Sequence, residues 1–487
     1  MIKELIKIHD KFSIEIKLGY ETKRSKKKND FTVNTWFFVP NSLDVNRHTY
    51  SKDQFYNDLK TNIRLTTPVY LLREIAEGKD SPIHFLEKAF MDLANTPIRK
   101  NREKYEYHLK MFQSIIKSSL RNDINHIISN VVSADRQYLI TSYLENTKAV
   151  LKKYRELRRI INVPTINDEL LSYYLLSDEF MSNIVEQHTF YLVRDLEKKY
   201  PKDYQENQSL LLALIQSEIS YKESKGYATV KKRTKDNNGS VIYRRGVLKK
   251  YIESQLFLST RQKKDGVVVE QFLYSIAAGL SMIFATGVAF TFQLKYGNFT
   301  MPFFIALVVG YMLKDRIKEL TRYYLGGKLQ KRLFDLKNSI VINDHQKIGW
   351  CKESFDFIKE DNTPKNVLKV RSRSQIMEVE NRGAEEKIIL YRKLVRINRN
   401  ELNNVYEQYE ITGINDIIRF NISRFVKKMD NPKIPIYILK DNSYQITKGD
   451  KLYYLNFVMK FEYNDESKYS RYRIVFNRNG IKKVEKM

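Results

Sequence analysis

Residues 271–294, QFLYSIAAGLSMIFATGVAFTFQL, and residues 296–313, YGNFTMPFFIALVVGYML, decide how this chain is read, because neither run holds a charged side chain and only Lys295 parts them. As helices rising 1.5 Å per residue, they would measure roughly 36 and 27 Å, against a hydrocarbon core about 30 Å thick. Gly297 and Asn298 are turn residues in a link too short to hold a domain, so the two helices are expected to run antiparallel as neighbours. Thr300 is placed to cap the second helix, and Pro302 falls in its first turn. Small residues spaced four apart, Ser275 with Gly279 and Ala285 with Ala289, are the expected helix-packing positions.

Basic residues crowd both outer flanks. Arg244, Arg245, Lys249 and Lys250 precede the apolar runs, and Arg316, Arg322, Lys328, Lys331 and Arg332 follow them. By the bias of Lys and Arg toward the cytoplasm, this pattern predicts a multi-pass membrane protein with both termini cytoplasmic, in the inner membrane if the source is bacterial. No signal sequence is expected, since residues 1–12 hold no long apolar run. The two runs also lack any carboxylate, histidine or basic group, which argues against active transport.

Working outward, residues 13–39 alternate apolar and polar positions and read as an antiparallel strand pair joined by a loop carrying Lys23, Arg24, Lys26, Lys27 and Lys28. With the flanking residues named above, these five form the expected contact with an anionic surface. Residues 52–225 recur at three- and four-residue steps, as in Leu109, Phe112, Ile116, Leu120, Ile124 and Ile127, and predict a helical bundle. Residues 231–240 read as a loop, and 241–260 as a helix leading to the membrane. Near the carboxy terminus a helix is expected over 416–429, followed by a meander over 434–440, 443–447, 451–463, 468–477 and 481–485, with Asn479–Gly480 as a hairpin turn.

The fold class predicted is therefore an α+β membrane protein. Its parts are an N-terminal β-hairpin region (1–50), a helical bundle (51–226), a basic linker with a juxtamembrane helix (227–267), a two-helix transmembrane hairpin (268–313), a juxtamembrane amphipathic helix (314–337) and a C-terminal antiparallel-sheet α+β domain (338–487).

Composition narrows the function less. The chain of 487 residues carries 85 Lys and Arg against 57 Asp and Glu, a net charge of +28, which favours anionic partners such as acidic head groups, with nucleic acid as a further reading. Its single cysteine, Cys351, excludes an internal disulfide and any multi-thiolate metal site. Asp123 and His126 lie one helical turn apart, but no Glu-x-x-His pair accompanies them, so neither metal nor cofactor is expected. Phosphate-binding loops, dinucleotide fingerprints and nucleophile elbows are absent from the sequence. The reading favoured is a cytoplasm-facing, membrane-anchored interaction or sensor protein, with a protein partner or a second copy of itself expected. The alternatives are a nucleic-acid or anionic-lipid binder, a membrane-perturbing effector whose hairpin oligomerises, and an enzyme of unrecognised type.

Overall fold

The computed structural model describes residues 2–487 apart from 79, 165, 231–234, 299, 331–332, 343–344, 373, 376–377, 379–385, 406–407 and 442. The strands, in chain order, are β1 (Ile2–Ile8), β2 (Ser13–Glu21), β3 (Lys28–Val39), β4 (Leu59–Leu65), β5 (Ser259–Lys264), β6 (Leu336–Ile342), β7 (Gln346–Ile358), β8 (Lys387–Asn398), β9 (Gly413–Asn421), β10 (Lys433–Lys440), β11 (Ser443–Asp450), β12 (Tyr453–Tyr463), β13 (Glu466–Asn477) and β14 (Gly480–Lys486). The helices are α1 (Lys52–Asp58), α2 (Leu72–Glu77), α3 (Pro82–Asn95), α4 (Arg99–Ser129), α5 (Ser133–Glu156), α6 (Arg158–Ile161), α7 (Asp168–Lys199), α8 (Pro201–Ser224), α9 (Lys235–Glu253), α10 (Val267–Tyr296), α11 (Met301–Gln330), α12 (Lys365–Arg371), α13 (Arg399–Val405) and α14 (Ser423–Val426).

Two compact units result. The first gathers Met1–Ile63, Leu258–Asn404 and Gly413–Met487, and the second gathers Arg64–Phe257 and Val405–Thr412.

The first unit is built on sheets. One has the order β1-β2-β9-β4, a second the order β14-β13-β12-β3-β8-β7-β6-β5, and β10 with β11 forms a separate two-stranded sheet. Alternation explains the layering, since successive side chains of a strand point to opposite faces. Ile14, Ile16, Leu18 and Tyr20 of β2 and Ile414, Ile418 and Phe420 of β9 are all buried, as are Phe31, Val33 and Phe37 of β3. Rings from the two sheets meet, Tyr20 with Phe31 at 5.2 Å and Phe37 with Phe420 at 5.3 Å, so the sheets pack face to face. The opposite face of the larger sheet holds Trp36, Phe38, Ile388 and Val458, and α12 covers it through Val367.

Several expectations are corrected here. The predicted N-terminal hairpin does not form: β2 pairs with β1 and β9, while β3 pairs with β12 and β8. The connector between β2 and β3 has no Asn-Gly or similar turn, and Asn29 ties it down instead, accepting from the Lys23 amide (3.0 Å) and donating to the Lys26 carbonyl (3.0 Å). The helix expected over 416–429 does not form: 416–421 belong to strand β9, and only Ser423–Val426 make a short helical turn. Of the meander, only β12, β13 and β14 join the large sheet.

The largest correction concerns the membrane. Among the described residues only α10 is long and apolar enough to cross a bilayer, and the two-helix transmembrane hairpin is not supported. The uncharged run 296–313 overstates the second helix, because Tyr296 still belongs to α10 and α11 starts only at Met301. Helix α11 starts at Met301 and meets Lys314 after an apolar stretch roughly 20 Å long, short of a core about 30 Å thick.

The second unit is helical. Tyr105, Leu109, Phe112, Ile116, Leu120, Ile124 and Ile127 of α4 form one buried stripe, and Ile140, Tyr143, Val150 and Tyr154 of α5 form another. Phe112 stacks on Tyr154 at 5.7 Å, and Tyr154 stacks on Tyr174 of α7 at 5.2 Å. Asn167 caps α7, its side chain accepting from the Leu170 amide at 3.1 Å, and Pro201 opens α8 where a missing amide hydrogen costs nothing. Residues 235–240, expected in a loop, belong to α9, while the loop residues 231–234 lie outside the described ones.

Candidate functional site

Strands β5 and β6 are antiparallel neighbours, with Lys264 opposite Leu336, and the whole α10–α11 hairpin is inserted in the connection between them. Gly266, at φ +75°, turns the chain into α10, and a side chain there would meet Leu333 Cδ1 at 2.7 Å. The helices touch along a narrow seam of small residues. Ala277 and Ser281 on α10 are buried, as is Ala306 on α11, and a Cβ on Gly310 would lie 3.4 Å from Val288 Cγ1. Of the residues expected to pack, Ser275 and Gly279 are exposed, and Ala285 and Ala289 are half-buried.

So narrow a seam leaves the rest of α10 uncovered. Val268 is 82% exposed, Ile283 70% and Leu294 88%. In its most apolar 18-residue window only 11% is buried, which is the reverse of a helix in a soluble core. The hydroxyls on α10 are satisfied within the helix: Ser275 donates to the Gln271 carbonyl, Ser281 to Ala278, Thr286 to Met282 and Thr291 to Gly287. An apolar surface with its polar atoms already paired suits a medium without water.

At the root of the hairpin lies a cavity of about 840 Å³ walled by α1, β5, the first turns of α10, the charged half of α11 and the start of β6. Asp335 is saturated there, accepting from Lys52 Nζ (2.6 Å), Tyr56 Oη (2.9 Å) and the Phe355 amide (2.9 Å). Burial, with the Asp335 charge behind it, pushes the Tyr56 hydroxyl well above its ordinary range, so it stays protonated as a donor. Asp265 pairs with Lys352 at 2.8 Å, and Glu270 accepts from Tyr274 at 2.7 Å and faces Lys264 at 3.5 Å. Arg322 lies over the Tyr274 ring at 4.8 Å, and its buried Nε has no hydrogen-bond partner among the described residues.

The basic residues singled out from sequence are distributed as follows. Lys26 reaches Asn464 Oδ1 at 2.7 Å, and Lys23 sits over the Tyr463 ring at 5.7 Å. Arg24 and Lys27 are exposed, as is Lys28 at the start of β3. Arg244 forms a two-point contact with Glu179 (2.7 and 2.6 Å), and Arg245 approaches Glu186 at 3.2 Å, so both neutralise buried carboxylates of α7. Lys249, Lys250 and Arg316 are exposed, whereas the Lys328 side chain, Lys331 and Arg332 lie outside the described residues.

The buried charges are not among the residues marked in the sequence. In the first unit Lys393 lies 2.5 Å from Asp416 and 2.7 Å from Glu353, with the Tyr391 hydroxyl donating to Glu353 at 2.9 Å. Burial opposes charge on Lys393, but the two carboxylates outweigh it and hold its pKa well above the ordinary value. The adjoining void is about 10 Å³, too small for a substrate. Cys351 is also buried there, its thiol pushed up to about 12 by burial, which leaves it unreactive. In the second unit Glu218 pairs with Arg155 at 2.7 Å, Asp178 accepts from Tyr221 (2.8 Å) and Tyr227 (2.9 Å), and Lys222 pairs with Glu186. No cluster of three or more His, Cys, Asp or Glu side chains suited to a metal ion occurs among the described residues. The signal that could have revealed Lys393 and Asp416 was a charge at an inward position of an otherwise apolar alternation.

Compared with family models, with curated proteins and with solved structures, the chain matches none.

Proposed function

We propose that this is a monotopic membrane-associated protein, whose α10–α11 hairpin enters lipid from one face and holds a sheet unit and a helical unit at the surface for recognition. The observation that carries this reading is the uncovered apolar surface of α10, far more than a water-facing helix exposes. Topology supports entry from a single face, because β5 and β6 pair with each other and both ends of the hairpin therefore leave from the same sheet. The charged half of α11, with Lys314, Arg316, Lys318 and Arg322, belongs at the head groups, where each nearby basic residue adds about 1 kcal/mol on an anionic surface. Such a hairpin lies obliquely, with the charge-free side of α10 toward the acyl chains. A cytoplasmic placement follows from the same basic residues as part of this proposal.

The recognition part of the proposal draws support from the β10–β11 hairpin. Tyr437 (66% exposed), Leu439 (87%) and Tyr444 (69%) stand on a two-stranded sheet with no core beneath it. Flotation of the purified chain with vesicles tests the attachment: the protein should rise with vesicles rich in acidic lipid and resist extraction by alkaline carbonate. A chain that stays monodisperse at the bottom of the gradient, without detergent, would refute it. Crossing is tested separately with a cysteine at Asn298 in the hairpin turn and a maleimide sealed inside the vesicles, which should leave the protein unlabelled.

A further inference from the structure

The cavity at the root of the hairpin combines features that are otherwise unexplained. Its lining combines the apolar Leu273, Leu333 and Phe334 with the basic Lys52, Lys263 and Arg322. Its acidic residues are largely committed: Asp335 has three donors, Asp265 holds Lys352, and Glu270 holds Tyr274 and Lys264. Asp53 stands exposed at the rim. Lys263 and Arg322 line the cavity with no acidic partner among the described residues, Lys263 exposed and the half-buried Arg322 guanidinium over the Tyr274 ring at 4.8 Å. A guanidinium is matched best by the two oxygens of a phosphate or carboxylate, and a nearby ammonium adds to the same attraction. The volume of about 840 Å³ falls within the range of small-molecule sites. Beside the cavity the apolar surface of α10 begins, with Val268 and Phe272 exposed.

We propose that this cavity binds an anionic amphiphile, a lipid whose phosphate or carboxylate head is held by Arg322 and Lys263 while its acyl chain follows Leu273 and the exposed side of α10. Either a membrane lipid or a free acyl phosphate presents this chemistry, and the proposal rests on the monotopic reading only in taking the bilayer as the source.

The test uses the full chain in neutral detergent with three soluble probes: dihexanoyl phosphatidic acid, dihexanoyl phosphatidylcholine as the neutral head, and glycerol 3-phosphate as the head alone. Calorimetric titration should show binding of the phosphatidic acid, with an affinity at least ten times that for either other probe. Arg322→Gln should weaken this binding at least tenfold, Lys263→Gln should weaken it less, and Arg322→Lys should restore part of it. Lys263 is exposed on β5, so its variant keeps the fold, and unchanged tryptophan fluorescence verifies the Arg322 variants. Equal binding of the phosphatidic acid to wild type and Arg322→Gln, or equal binding of the phosphatidylcholine, overturns the proposal. Binding of glycerol 3-phosphate as tight as that of phosphatidic acid overturns the acyl-chain part. Probe binding that depends on Arg322 in a protein that fails to float with vesicles removes the monotopic reading and leaves the cavity assignment standing. Flotation with Arg322-independent binding does the opposite.

Discussion

Replacing Lys393 by methionine should unfold the sheet unit far more readily, and the size of the effect follows from what the lysine balances. Asp416 and Glu353 face Lys393 at 2.5 and 2.7 Å, and all three side chains are almost inaccessible to water. Removing one partner of a buried ion cluster typically costs about 3–5 kcal/mol, because the charge left behind has neither water nor a counter-ion. The carboxylates would then take up protons, so the loss should shrink in acid. With a urea dependence of roughly 2 kcal/mol per molar, a loss of about 4 kcal/mol moves the midpoint by about 2 M. The readout is clean because both tryptophans, Trp36 on β3 and Trp350 on β7, lie on the strands flanking β8, which carries Lys393. Urea unfolding in neutral detergent, followed by tryptophan emission, therefore reports this unit alone. The triple variant K393M/D416L/E353L should recover most of the loss, since an apolar replacement of the whole cluster removes the desolvation cost as well. A K393M midpoint within about 0.3 M of wild type, roughly 0.6 kcal/mol by the same slope, would show that the lysine balances no buried charge.

Three further outcomes follow from the structure. Val288→Cys with Gly310→Cys should oxidise to an intramolecular disulfide visible on a non-reducing gel, since a Cβ at 310 lies 3.7 Å from that of Val288, near the usual spacing of about 3.8 Å; Cys351 is buried and will not compete. In the helical unit burial pushes His108 and His188 down to about 4, so both are neutral when folded, and the unfolded chain binds more protons below its own pKa near 6.5. Stability of this unit should be full above pH 6.5 and fall as pH drops toward 4, by up to roughly 3 kcal/mol per histidine at 1.36 kcal/mol per unit; hydrogen exchange of α4 and α7 measures it, and H108Q should flatten the slope. Gly413→Ala would drive a Cβ into the Tyr20 carbonyl oxygen where β2 and β9 pair, and should lower the urea midpoint read by tryptophan through a loss of about 1–3 kcal/mol.

How far these features could be read from sequence depended on whether local pattern determined them. The stripes on α4 and α5 and the boundaries of β12, β13 and β14 follow from spacing alone, because a helix face and a strand face each impose their own period. Strand partners did not follow, since alternation fixes which side of β2 and β3 is buried but not which strand lies beside it. Strand β9 was hidden by Asp416, an inward-facing charge whose partner Lys393 is distant in the chain but close in space. The run 296–313 counted as a span because composition does not show that α11 begins only at Met301. The root cavity is invisible for a related reason: its walls come from α1, from β5 with α10, and from α11 with β6, which no local pattern brings together.

Membrane attachment of this chain turns on what surrounds α10. A nitroxide placed by Ile283→Cys, midway along the helix and 70% exposed, reports this directly in reconstituted vesicles. Its spectrum should relax strongly with oxygen and weakly with a water-soluble nickel chelate, as expected for a side chain among acyl chains. Strong relaxation by the nickel chelate with little response to oxygen would place α10 in water and contradict the account.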